Sequence, residues 1–203
     1  MSSLPVSHIL YLHGFRSSPR SFKARVVQGR QQELGRAREL VCPQLPASPQ
    51  AAMDLVLTLV DRYADRLAIV GSSLGGFYAT WLAERFGCRA VVINPAVDPL
   101  KDLEKHVGVT TAWHSDEPFE FRREYIDELA ALKVERITRP ERYFLLAATG
   151  DEVLDYRDMV AHYAGAHQHI IEGSDHAIPE FAQYVDEVLD FCSKGQARSE
   201  TAR

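Results

Sequence analysis

The sequence predicts a three-layer α/β/α sandwich, with helices on both faces of a mostly parallel sheet of about six strands. Three observations carry that expectation. Short apolar runs and longer helical segments alternate six times along the 203 residues, the pattern of parallel strands joined by helical crossovers. Hydrophobic residues make up 46% of the chain and charged residues 25%, ordinary for one domain with a sizeable core. The residues best suited to chemistry fall just past strand ends, where such sheets bind their ligands.

Taken in order, His8 to Leu12 is a buried strand ending in the loop His13-Gly14-Phe15. Ser18-Pro19 opens a helix over 20–34, with Pro at its first position. A second strand spans 38–41 and is broken by Pro43 and Pro46. Ser48-Pro49 opens a helix over 50–63, with Met53, Val56, Leu57 and Val60 on one face. Strand 67–70 leads into a tight turn and a third helix that ends near Phe86-Gly87. Strand 89–93 closes at Asn94-Pro95. The stretch 96–140 is charged and shows no clear strand. Its two helical pieces, 100–106 and 117–132, suggest a helical cap inserted over one end of the sheet. Strand 142–148, helix 156–164, strand 167–171 and a last helix over 179–191 complete a single domain over 1–193. Residues 194–203 are polar and poor in apolar groups and are expected to be a disordered tail.

The chain turns on Gly71-Ser72-Ser73-Leu74-Gly75. This G-x-S-x-G pattern, with a strand before it and a helix after it, is a nucleophile elbow. A serine on so sharp a turn crowds its neighbours two residues away, and Gly71 and Gly75 remove the side chains that would clash. Ser73 is therefore the candidate nucleophile. Ser72 is its rival, but the positions flanking it at that spacing are Val70 and Leu74, neither of them small.

A serine hydroxyl needs a base, and the base needs an orienting carboxylate. His176, after the sixth strand, is the candidate base, with His13 as its rival. Asp151, after the fifth, is the candidate acid. Glu152 and Asp155 compete closely with it and Asp98 distantly, whereas Asp175 adjoins His176 in sequence and is a poor orienter. The order Ser, Asp, His is that of the nucleophile-elbow hydrolases. An oxyanion hole needs two amides. Leu74, after the nucleophile, and Phe15, in the first strand-end loop, are placed to supply them, with His13 and Gly14 supporting that loop.

Assembled, these residues resemble the α/β-hydrolases, and more closely the small bacterial YqiA-type esterases. The likeness runs through Leu10 to Phe15, Pro43 to Pro46, Ile69 to Leu82, Asn94 to Val97, Thr149 to Tyr156, and Ile171 to Gly173 with His176-Ala177. It implies a serine esterase on a compact sheet lacking the usual first two strands, with Ser73, Asp151 and His176 as its triad. Two departures stand out. Arg16 replaces a small polar residue, and Ser174-Asp175 replaces a more Gly/Asn-like pair.

The expected function is cleavage of carboxylic esters through an acyl-enzyme, with no metal or organic cofactor. An acyl-CoA thioesterase using the same residues is one alternative, and a non-catalytic binding module on the same fold is another. Arg16, Arg20 and Lys23 are either a phosphate-binding row or, the favoured reading, a solvated helix face. A net charge of −5 gives no nucleic-acid footprint. No apolar run is long enough to span a bilayer, and residues 1–7 lack a signal-peptide pattern. Cys42, Cys88 and Cys192 match no zinc or disulfide spacing and point to reduced thiols in the cytoplasm. His162, His167 and His169 sit on a helix and then a strand, a poor arrangement for one metal. The partner is a small-molecule ester or thioester. The sequence leaves oligomeric state and the role of the 96–140 stretch open.

Overall fold

The computed structural model describes residues 6–63, 66–111 and 118–193. The tail expected over 194–203 lies outside them. Six strands form one parallel sheet in the order β2-β1-β3-β4-β7-β8. They are β1 (His8–Leu12), β2 (Leu40–Val41), β3 (Leu67–Ser72), β4 (Arg89–Ile93), β7 (Tyr143–Ala148) and β8 (His167–Ile171). The helices are α1 (Phe22–Glu33), α2 (Pro49–Tyr63), α3 (Leu74–Phe86), α4 (Pro99–Glu104), α5 (Glu124–Ala131), α6 (Tyr156–His162) and α7 (Val185–Ser193). Among the described residues, no helix is long and apolar enough to cross a membrane.

The central strands read as unbroken apolar runs because both faces are covered. Alternate side chains feed two cores. Leu10, Leu12, Ile69, Val92 and Leu145 face Met53, Val56, Phe77 and Leu82 of α2 and α3. Ile9, Tyr11, Val70, Val91, Phe144 and Leu146 face Val27 of α1 and Val188 of α7. Each such side chain withdrawn from water contributes about 1.5–3 kcal/mol, offset largely by lost chain entropy. The edge strand β8 instead carries His167, Gln168 and His169 in partly exposed positions, a composition that discourages further strand pairing.

The chain runs from β1 outward to β2, then returns past β1 to β3 and continues the other way. The direction of winding therefore reverses between β1 and β3. A crevice opens at that reversal, beyond the carboxyl ends of the two strands. The loops after β1 and β3, His13-Gly14-Phe15 and the Ser73 turn, flank it.

Three sequence expectations are corrected. Residues 96–140 do contain strands. β5 (Gly108–Thr111) and β6 (Pro118–Phe121) pair antiparallel as a hairpin, and the second helical piece shrinks to α5. Seven of the hairpin's eight strand residues are at least partly exposed, so no buried alternation marked them. The last helix does not begin at 179. A 3-10 turn, Phe181–Gln183, precedes α7. The second strand is only Leu40–Val41, behind a 3-10 turn at Ala37–Glu39.

Candidate active site

Ser73 stands between β3 and α3 with φ 55° and ψ −122°, a backbone state costly for a residue with a side chain. The surroundings fix it. Its amide donates to the Ile93 carbonyl at 3.0 Å, and its carbonyl accepts from the Gly76 and Ala96 amides at 2.8 and 3.1 Å. A Cβ at Gly71 would enter the Gly75 carbonyl, and one at Gly75 would enter the Leu12 carbonyl. Both glycines therefore permit contact between backbones. Gly14 lies on the other side, where a Cβ would come 3.2 Å from that of Ser73. The rival Ser72 is the last residue of β3 and mostly buried.

Asp151 leaves the end of β7 and His176 follows β8. The structure brings them together, with His176 Nδ1 2.7 Å from Asp151 Oδ2. The Asp151 side chain is 0% exposed, and a carboxylate so placed must be fully hydrogen-bonded. Its other oxygen accepts from the Val153 and Leu154 amides, each at 2.8 Å. Since the carboxylate only accepts, Nδ1 carries the proton, and Nε2 is left to accept. The competing carboxylates are engaged elsewhere. Glu152 accepts from the His176 backbone amide. Asp155 caps α6 through the Arg157 amide. Asp98 pairs with Lys133. Asp175 accepts from the Ala177 and Ile178 amides.

His13 is buried and committed on both ring nitrogens. The Leu45 amide donates to Nε2 at 3.0 Å, so the proton sits on Nδ1, which donates to the Gly14 carbonyl at 2.9 Å. Burial lowers its pKa, against a smaller opposing effect of the Gly14 hydrogen bond. A neutral imidazole thus shapes the turn that presents Phe15. Among the described residues, the amides of Phe15 and Leu74 have no protein acceptor, as two oxyanion donors require. Of the other histidines, His167 and His169 both bond to Glu187, and burial lowers the pKa of His162.

Two supporting residues escaped the sequence reading. Lys23 of α1 donates to the His176 and Ala177 carbonyls at 3.0 and 2.8 Å. The solvated-face expectation holds for exposed Arg20 and fails for Lys23. Asn94, buried at the end of β4 with φ 40°, accepts from the Ala148 amide through its side-chain oxygen and donates to the Asp175 and His176 carbonyls. Its position in Asn94-Pro95, closing a strand, was the available signal. Lys23 and Asn94 hold a loop that also contains Ile178 at φ 48°, a severe strain for a β-branched residue.

Ser73 and His176 share a cavity of about 390 Å³ with Leu74, Ala96, Leu103 and Leu154. The segment between β4 and β7 closes over it. Phe15 packs edge-on against Phe119 and Phe121 at 5.2 and 5.1 Å, and Arg16 Nε donates to the Thr111 carbonyl at 2.7 Å.

Comparison with known proteins agrees with this architecture. The family model described as "Uncharacterised protein family (UPF0227)" matches residues 8–193. A putative hydrolase from Agrobacterium vitis is 18% identical, with TM-score 0.74, over 92% of this chain and 88% of that one. Est1E from Butyrivibrio proteoclasticus is 13% identical, with TM-score 0.61, over 92% and 88%. A monoacylglycerol lipase from Paleococcus ferrophilus is 16% identical, with TM-score 0.64, over 95% and 99%. At these identities the likeness establishes the α/β-hydrolase fold.

Proposed function

The chain belongs to this uncharacterised family, UPF0227, and we propose that it is a serine hydrolase acting on carboxylic esters through an acyl-enzyme. One observation carries the reading most directly. The buried Asp151 carboxylate holds His176 Nδ1 at 2.7 Å, fixing the tautomer whose Nε2 accepts a proton in a cavity shared with Ser73. The strained elbow at Ser73 and the unspent Leu74 and Phe15 amides add to it. So do the names of two fold neighbours, Est1E and the monoacylglycerol lipase.

In this mechanism His176 Nε2 takes the Ser73 proton as Oγ attacks the ester carbon. The carbonyl oxygen becomes an oxyanion between the Leu74 and Phe15 amides, each such donor stabilising the transition state by roughly 3 kcal/mol. The tetrahedral species expels the alcohol, which leaves with the proton from His176. Water, deprotonated by His176, then releases the acid and restores Ser73.

The protein acts in the cytoplasm on a small-molecule substrate. Arg16 and Lys23 each commit a donor to a backbone carbonyl, which weakens the case for a phosphate-binding row and favours simple esters over acyl-CoA. The test is labelling by a fluorophosphonate probe, wild type beside Ser73→Ala, with p-nitrophenyl esters of increasing chain length and a matched acyl-CoA run in parallel. Labelling confined to the wild type is expected. A folded wild type that resists the probe and spares every ester would refute the assignment.

A further inference from the structure

Ser73 and His176 border a second cavity, of about 360 Å³, on the side of α1. Its wall is set apart by its serines. Ser17, Ser21, Ser72, Lys23 and Tyr11 all line it. Ser17 and Ser21 are partly exposed, and Ser72 is mostly buried. The Tyr11 hydroxyl lies fully buried behind this wall, and Ser21 and Ser72 are close enough to act on it as hydrogen-bonding neighbours. Lys23 has three N–H groups and spends two on the His176 and Ala177 carbonyls. Three serine hydroxyls and an ammonium N–H thus converge on a space beside the candidate nucleophile, and a hydroxyl that meets one neighbour still keeps acceptor capacity. Groups that are partly exposed here bond to water when the cavity is empty, and a ligand that displaces that water must replace its hydrogen bonds, which suits a polar fragment.

The chemistry of that fragment follows from the surrounding charge. Lys23 is the cation of the cavity, and three carboxylates act on it, those of Asp151, Asp175 and Glu152. An anion would meet more negative charge than positive. Three serine hydroxyls that both donate and accept instead suit a neutral group that does the same. Building on the serine-hydrolase reading above, we propose that this cavity binds the alcohol half of the ester, and that this alcohol is a small polyol of the glycerol or monosaccharide class. The acyl chain then lies against Leu74, Leu103 and Leu154 of the first cavity, which Arg16, Asp102 and Lys105 also line. The bond broken lies between the two cavities, and the polyol departs on its own side with the proton from His176.

The test compares kcat/KM for glyceryl monobutyrate, propyl butyrate and the anionic butyryl ester of glycolate. It uses the full chain and a Ser17→Ala/Ser21→Ala variant. Fluorophosphonate labelling is measured on the same samples. The Ser21 hydroxyl makes no capping bond to α1, so its removal does not weaken the helix by that route. Two or more hydrogen bonds to the polyol predict a glyceryl-to-propyl ratio of roughly tenfold in the wild type, falling toward one in the variant. If the double variant does not fold, Ser17→Ala alone, at a partly exposed hydroxyl of the cavity wall, is scored by the same ratio. A labelled wild type with a ratio near one, a ratio unmoved by the substitutions, or a preference for the glycolate ester overturns the polyol site alone. A folded wild type that is not labelled overturns the serine-hydrolase reading, and the polyol site falls with it.

Discussion

Lys23 and His176, 153 residues apart, are joined by a hydrogen bond of 3.0 Å from the Lys23 ammonium to the His176 carbonyl, with a second of 2.8 Å to the adjacent Ala177 carbonyl. The tie runs from α1 to the loop after β8, beside the cavity that Ser73 and His176 border. It acts on the imidazole through the backbone, so Lys23 is a positioning residue. Replacing it with Met should lower kcat on a simple apolar ester roughly tenfold, equivalent to about 1.4 kcal/mol of lost alignment, with a smaller change in KM. Steady-state kinetics on propyl butyrate decide this. A rise in KM with kcat intact would assign Lys23 to binding alone.

The same lysine makes a prediction about pH. Desolvation lowers its pKa from 10.5 to about 8, and the nearby carboxylates, Asp151 first, only partly oppose it. Folding therefore disfavours the charged form. Between about pH 8 and 10.5 the unfolded chain binds more protons than the folded one, so this group's contribution makes stability rise with pH across that window. Below about pH 8 the cost is fully present. Denaturant midpoints for wild type and Lys23→Met, taken at pH 7.5 and 9.5, should diverge in favour of the wild type at the higher pH. Parallel behaviour would show that the ammonium is better hydrated than its surroundings indicate.

Asp151→Asn tests the proposed acid without altering its shape. The amide group can donate toward Nδ1, which selects the wrong imidazole tautomer. Loss of the charge also leaves a forming imidazolium uncompensated. A fall in kcat of roughly 10³–10⁴ is expected, with the fold intact by circular dichroism. Glu152→Gln should cost far less, since Glu152 meets only the backbone amide of His176. Comparable losses from both substitutions would mean that the two carboxylates share the role.

Much of this was legible in the sequence, for reasons that particular residues make plain. β3 and β7 are buried on both faces, so their apolar runs were unbroken. The Ser73 turn announced itself because Gly71 and Gly75 touch backbone that no side chain could approach. The choice among Asp151, Glu152 and Asp155 was not decidable locally, because three carboxylates within five residues differ only in which one the loop directs at His176. Lys23 was hidden for a related reason. Its neighbours Arg20 and Arg25 carry the same charge, and its partners lie on the far side of the chain. The β5–β6 hairpin was hidden because its strands are short and largely exposed.

The elbow glycines and a helical glycine should respond oppositely to the same change. Gly71→Ala and Gly75→Ala drive a methyl group into the carbonyls of Gly75 and Leu12, neither of which moves without displacing β1 or α3. Each should destabilise by about 3 kcal/mol or more, at or beyond the usual range for overpacking. Gly29 lies within α1 and has nothing within 4 Å of its would-be Cβ. Gly29→Ala should stabilise by about 0.5–1 kcal/mol, by restricting the unfolded chain. Urea unfolding of the three variants measures all of this. A neutral Gly75→Ala would contradict the close approach of β1 to α3.

The three thiols separate a serine mechanism from a cysteine one. Desolvation pushes Cys42, Cys88 and Cys192 each up to about 12, with weaker opposition from Arg142 at Cys88 and from Arg89 at Cys192. At pH 8 the reactive thiolate is then roughly one part in 10⁴. The native protein should therefore resist a thiol-reactive disulfide reagent for many minutes and keep its esterase activity through iodoacetamide treatment. Unfolding in guanidinium should expose all three groups at once. Cys42 gives the sharpest check, being only partly buried beside the second strand. Rapid modification of one thiol in the native state, with loss of activity, would mean that a cysteine contributes to the site. Slow modification alongside rapid fluorophosphonate labelling would leave Ser73 as the nucleophile.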